Sequence, residues 1–293
     1  MCGAAGFLPK FFLEPRAIPC SVAPELPPKR RENRANQVRE MAKARAAKKK
    51  TAKAKTKGKN AAHRQIKELL IAAGKVLVAE GQDDFTRGHI SFRLPDNPNL
   101  FYMKAHSIGL DEITMQNILT IDLEGNVVAG TARRHSEVYI HSEILKVRPD
   151  VNCVIHTHPT YSVALSSTGR GLKCYSQPGA LFHEALGIYT DTINLIRTHA
   201  MGAGVAHALG SGRGVLLKNH GVVVTGASIE EAVIGTIMLE NGAMVQLLAE
   251  AAGELEPEFP RDDIEKLKHD ISRADQFKVN FDYLARRLAR RGR

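Results

Sequence analysis

The run from residue 151 to 155, Val-Asn-Cys-Val-Ile, constrains this chain more than any other stretch. It is short, mostly apolar and β-branched, which reads as a buried strand, and it delivers His156 and His158 with Pro159 behind them. Side chains two apart on a strand share a face, so both imidazoles can reach one divalent ion. Proline has no N–H to give to a ladder, so the strand stops there. A catalytic metal site needs a third protein ligand and an open position for substrate or water.

The third candidate lies downstream, in the block VLLKNHGVVV that spans 215–224. A second apolar strand again runs into a histidine, His220, and a glycine follows it. The four cysteines, Cys2, Cys20, Cys153 and Cys174, show no CxxC spacing, which argues against a structural zinc cluster. Three histidines at strand ends argue instead for a mononuclear site at one edge of a sheet. Upstream, Ile140, Ile144 and Val147 recur at helical spacing, and Pro149 ends that helix. Ser136 and Glu137 stand at its start, where the dipole keeps a carboxylate ionised unless burial opposes it. On local sequence Glu137 is either an acid of the cap region or a general base beside the ion.

Four blocks occur in an order that resembles the class II aldolase/adducin family: GHISFR at 88–93, HSE at 135–137, RPDVNCVIHTHP at 148–159 and LLKNHGVVVTG at 216–226. The resemblance covers roughly Ala61 to Ala251. It implies one divalent metal ion per subunit, zinc first with manganese, iron or cobalt as alternatives, held by His156, His158 and His220. It also makes Glu137 the catalytic acid/base. By the same resemblance the chain is a homotetramer with sites between subunits, and a tyrosine of the adjoining subunit donates a proton. Tyr175 and Tyr189 are loose candidates for that tyrosine.

The substrate-side residues depart from the aldolase pattern. The family's G-N-x-S-x-R has His89 in place of asparagine here, and the two serines before the acid become His135 and Ser136. Phosphate cradles rely on small hydroxyls and backbone N–H groups. The expected substrate contacts are His89, Ser91, Ser107, Gly109, His135 and Ser136. The two imidazoles suit a carboxylate or ring hydroxyl better than a sugar phosphate, with simple packing at the mouth of the site as the alternative.

Charge is uneven along the chain. Residues 1–60 hold 16 Lys and Arg against 4 acids, so of the net +10 the first sixty residues carry +12 and the remainder about −2. The expectation is a disordered basic tail over 1–60, with Lys43 to Lys59 lacking any apolar face, and a catalytic domain over 61–293 ending in an amphipathic helix. A helix from Ala62 to Glu80 opens that domain. The functional alternative to a passive tail is a weak, nonspecific contact with nucleic acid or an anionic membrane, and Met41 is an alternative start. No secretory signal or apolar run of about 20 residues is evident, and the scattered cysteines suit a reducing cytoplasm.

The expected fold is α/β: a single mixed, largely antiparallel sheet flanked by helices on both faces. The expected function is a metal-dependent carbon–carbon lyase of the aldolase type, acting on a hydroxy-carbonyl or hydroxy-acid rather than a sugar phosphate. A metal-dependent decarboxylase of a hydroxylated aromatic or keto acid is the alternative within enzymes. A non-catalytic adducin-like binding module is the alternative outside them.

Overall fold

The computed structural model describes residues 28–291. The first helix, α1, spans Pro28–Ala79, so it begins 34 residues before the Ala62 expected from periodicity. The expected start of this helix therefore needs correction, while residues 1–27 lie outside the described residues. The physical reason is propensity: proline is well placed in a first helical turn, and Ala, Lys and Arg are strong helix formers even without an apolar stripe. Met41, Lys43, Arg45, Lys48 and Lys49 are all exposed. The chain divides into two units at Thr56.

In the unit from Lys57 onward, eight strands form one sheet. They are β1 (His89–Leu94), β2 (Asn97–Lys104), β3 (Ile118–Asp122), β4 (Val127–Ala129), β5 (Cys153–Thr157), β6 (Leu186–Tyr189), β7 (Gly214–Leu217) and β8 (Gly221–Gly226). Their order is β4-β3-β2-β1-β5-β8-β7-β6. Only β6 and β7 run parallel; every other neighbouring pair is antiparallel. The helices are α2 (Val138–Val147), α3 (Thr160–Ser167), α4 (Gln177–Ala180), α5 (His199–Leu209), α6 (Ile229–Ala252), α7 (Arg261–Ile271) and α8 (Ala274–Arg291).

Two cores cover the two faces of the sheet. One combines Leu70, Val76 and Leu77 of α1, Val233 and Leu239 of α6 and Phe277 and Phe281 of α8 with Ile90, Ile155, Val222 and Val224. The other combines Ile140 and Ile144 of α2 and Val205 and Leu209 of α5 with Met103, Val154, Val215 and Val223. A strand buried on both faces reads as an unbroken apolar run, which explains the four-residue GVVV of β8. Val147, expected on the apolar face of α2, is 61% exposed. α6 is long and apolar enough to cross a membrane by length and composition, a run that the sequence reading did not register. Its packing against α3, α4, α8, β5 and β8 accounts for that composition.

Strand alternation sets up the site. Because Ile90 and Ile155 belong to the first core, His89, Ser91 and His156 point to the opposite face, the one that α2 covers. Arg93 then clamps α2 in place. Its buried guanidinium donates to the carbonyls of Leu145 at 2.9 Å and Arg148 at 3.0 Å, and to Val151 and Pro98 at 3.0 and 2.8 Å. A buried charge is tolerable only with its donors satisfied. The same bonds tie the end of α2 to β1 and β5.

Candidate metal and acid–base site

Sheet pairing brings the first two elements together: β5 lies between β1 and β8, with His156 opposite His89 on one side and Val223 on the other. His158 follows β5, where α3 begins. The start of α3 is fixed by Glu240 of α6, whose carboxylate accepts from the N–H groups of Tyr161 and Ser162 at 2.8 Å each. His220 closes the turn between β7 and β8. In that turn Asn219 has φ +59°, which asparagine tolerates better than most residues, and its N–H donates to Ser166 Oγ of α3 at 3.0 Å. Thus α3 anchors both histidine-bearing segments.

The imidazoles of His156, His158 and His220 each offer a ring nitrogen within 4.8 Å of the others. His156 is fully buried, and its Nδ1 donates to the Val222 carbonyl at 2.9 Å. That bond leaves a lone pair on Nε2, which meets no hydrogen-bond partner. Both ring nitrogens of His220 are likewise unpartnered, and His158 Nδ1 lies 3.1 Å from Asp84 Oδ2 without the alignment of a hydrogen bond. Burial holds all three below the usual imidazole pKa, His158 at about 4, so they are neutral at pH 7. Unmet buried nitrogens cost about 1–3 kcal/mol each. Converging neutral imidazoles are the donor set that a divalent ion takes, so these residues fit a metal.

Glu137 is the N-cap residue of α2, yet its side chain makes no cap bond. Its Oε1 accepts from the Ile196 N–H at 2.9 Å and lies 3.5 Å from His220 Nε2. Its Oε2 lies 3.8 Å from His89 Nε2 and 3.9 Å from His156 Nε2. Desolvation raises its pKa above the usual carboxylate value, against the smaller opposing effects of the Ile196 N–H and Arg197. A carboxyl so placed, with its pKa raised, can exchange a proton with a bound substrate.

The remaining expected contacts fall in different places. His135 and Ser136 line a cleft of about 480 Å³ together with Glu137, His158 and His220. His135 Nε2 donates to the Ala105 carbonyl at 3.1 Å, and burial lowers its pKa to about 3, so the neutral ring has no N–H left for a substrate. His89 is fully buried beneath the cleft, with Nδ1 2.6 Å from His141 Nε2. Ser91 is buried beside it, its Oγ 2.6 Å from His141 Nδ1. Ser107 is exposed at φ +64° and does not line the cleft. The Gly109 N–H is already donated to Glu112 Oε2 at 2.7 Å. Tyr189 is buried in the second core and Tyr175 borders a separate cavity with Phe259, so neither reaches the cleft of this chain.

Sequence reasoning passed over His141, Arg87, Asp84 and His106. The last three line the cleft. His141 had a signal: it follows Glu137 by four residues, the spacing that puts two side chains on one helix face. Arg87 and His106 sit in irregular segments, where no periodicity marks them.

A mixed eight-stranded sheet with three imidazoles and a buried carboxyl gathered at one end of its central strands defines the architecture. The chain belongs to the family described as the class II aldolase and adducin N-terminal domain, whose profile it matches over residues 68–247. Among its relatives, a 3,4-dihydroxyphthalate decarboxylase of Arthrobacter keyseri is 31% identical over 216 residues, covering 70% of this chain and 87% of that protein. The decarboxylase NovR of Streptomyces niveus is 31% identical over 175 residues, covering 59% and 65%. The solved structure of an L-fuculose 1-phosphate aldolase from Glaciozyma antarctica PI12 superposes with a TM-score of 0.68 at 28% identity, covering 76% and 87%.

Proposed function

We propose that this protein is a divalent-metal-dependent carbon–carbon lyase that decarboxylates a hydroxylated aromatic or keto acid. The observation that carries the reading is the state of the phosphate contacts. The Gly109 N–H is spent on Glu112, the Ser91 hydroxyl faces His141, and Ser107 stands outside the cleft. A phosphate dianion would lose the close donors it needs. Arg87, His106 and Ser136 remain to meet a carboxylate, and Val163, Ile193 and Leu195 offer an apolar wall for a ring. The likeness to a dihydroxyphthalate decarboxylase supports the same reading. It reverses the order of the two enzyme expectations.

His156, His158 and His220 would hold the ion, which when bound would stabilise negative charge on substrate oxygens. The chain's own part is proton control. As the bond from the ring or α-carbon to the carboxylate breaks, its electron pair stays on that carbon and carbon dioxide leaves. Glu137, whose pKa burial raises above the usual carboxylate value, is the group placed to carry a proton to that carbon. The Ile196 N–H holds Oε1 in place while this happens. Aldol cleavage is the second reading, supported by the similarity to a fuculose 1-phosphate aldolase, with Glu137 again moving the proton. We also read the chain as a cytoplasmic homotetramer, and its residues up to 60 as a basic appendage to the catalytic body, on the family resemblance and the charge distribution.

The test is a substrate panel of 3,4-dihydroxyphthalate, a hydroxylated keto acid and L-fuculose 1-phosphate, followed by carbon dioxide release and aldehyde formation. Release of carbon dioxide from an acid, with the sugar phosphate inert, is expected. Efficient cleavage of the sugar phosphate alone would overturn the reading.

A further inference from the structure

Beneath the cleft lies a chain of three buried polar side chains that no step above uses: Ser91, His141 and His89. Each is 0% exposed. Ser91 Oγ is 2.6 Å from His141 Nδ1, and His141 Nε2 is 2.6 Å from His89 Nδ1. The far nitrogen of His89, Nε2, meets no hydrogen-bond partner and faces Glu137 Oε2 at 3.8 Å. A neutral imidazole carries one N–H and one lone pair.

Two directions of donation are open to such a chain. If His89 Nδ1–H donates to His141, then His141 Nδ1–H donates to Ser91, and the Ser91 hydroxyl hydrogen has no acceptor among the described residues. His89 would then turn a lone pair toward a carboxylate. In the opposite direction the hydroxyl of Ser91 donates to His141 Nδ1, His141 Nε2–H donates to His89 Nδ1, and His89 Nε2–H faces Glu137. The Ser91 hydroxyl hydrogen then has an acceptor, and the one donor left without a partner, His89 Nε2–H, turns its positive end toward Glu137 Oε2. The partner of a ring's far nitrogen sets its tautomer. His156 shows the contrast: its far nitrogen donates to a carbonyl, so its near nitrogen offers a lone pair.

We propose that Ser91 and His141 are positioning residues that lock His89 in the Nε2–H tautomer, aiming a hydrogen-bond donor at Glu137 and removing His89 from the set of metal ligands. The geometry also admits a cluster of His89, Glu137 and His156 as an ion site. A protonated Nε2 closes that alternative and leaves the ion to His156, His158 and His220. The donor steadies Oε2 while the Ile196 N–H steadies Oε1, so the carboxyl is held from two sides. The functional consequence rests on Glu137 being the proton-transferring group.

The experiment uses the metal-loaded protein with ¹⁵N-labelled histidine, in the wild type and in Ser91→Ala and Ser91→Thr. Long-range ¹H–¹⁵N spectra report which nitrogen of His89 bears the proton. Expected are a protonated Nε2 and bare Nδ1 in the wild type, a mixed or reversed tautomer in Ser91→Ala, and recovery in Ser91→Thr, which keeps the hydroxyl. Turnover of the best acid in the panel should fall more than tenfold in kcat for Ser91→Ala, with KM within about twofold and metal content unchanged. A bare Nε2 in the wild type, or unchanged His89 resonances in Ser91→Ala, would overturn the proposal. Shifted resonances with undiminished kcat would support the lock and count instead against Glu137 as the proton carrier.

Discussion

Glu137→Gln is expected to lower kcat by about 10²–10⁴-fold, the usual worth of a positioned acid or base, or roughly 3–5 kcal/mol of activation free energy. The substitution is nearly isosteric, and a glutamine oxygen can still accept the Ile196 N–H that now binds Oε1. The fold and the position of the side chain should therefore survive. What is lost is the ability to hold and release a proton, for which burial has raised the pKa of this carboxyl. Melting temperature and kcat measured on the same preparation separate the two. Turnover within tenfold of wild type in a folded variant would remove Glu137 from the chemistry.

Gly221→Ala should be nearly as damaging, by a different route. A Cβ at this position would lie 2.6 Å from the Thr157 carbonyl oxygen and 2.7 Å from His158 Cδ2, with His156 Cε1 at 3.2 Å. The carbonyl belongs to the β5–β8 ladder, so relief requires backbone movement between the two strands that carry the site. Overpacking of this kind costs about 1–3 kcal/mol. A shift of about 1 Å among the imidazoles can reduce turnover about a hundredfold. Loss of metal affinity together with a lowered melting temperature is the expected result, read by metal titration and calorimetry. Wild-type affinity in the alanine variant would show that the approach of the two strands is looser than these distances imply.

These effects bear on what the sequence could reveal. His156 in β5 and His158 just after it were legible because strand period and proline termination are local properties, and His220 because the apolar run of β7 ahead of it and the glycine that follows it repeat that pattern. Sheet order was not local: that β1 lies against β5, placing His89 opposite His156, has no signal in periodicity and emerges only in the fold. The roles of His89 and His135 could not be read from residue type. Both were expected to face a substrate, but a ring's function depends on what occupies its other nitrogen, here His141 for one and the Ala105 carbonyl for the other. Helix α1 shows another limit. The basic segment has no apolar face, so periodicity placed the helix start at Ala62, while alanine and lysine propensity favours a start at Pro28.

Whether the imidazole triad holds an ion that turnover requires can be measured directly. The protein is stripped with a chelator, checked for retained fold, and titrated with zinc or manganese while acid turnover and bound metal are followed together. Activity that is absent at the start, rises in proportion to bound ion and saturates near about one ion per chain is the predicted result. Full turnover by the folded, metal-free protein would contradict it.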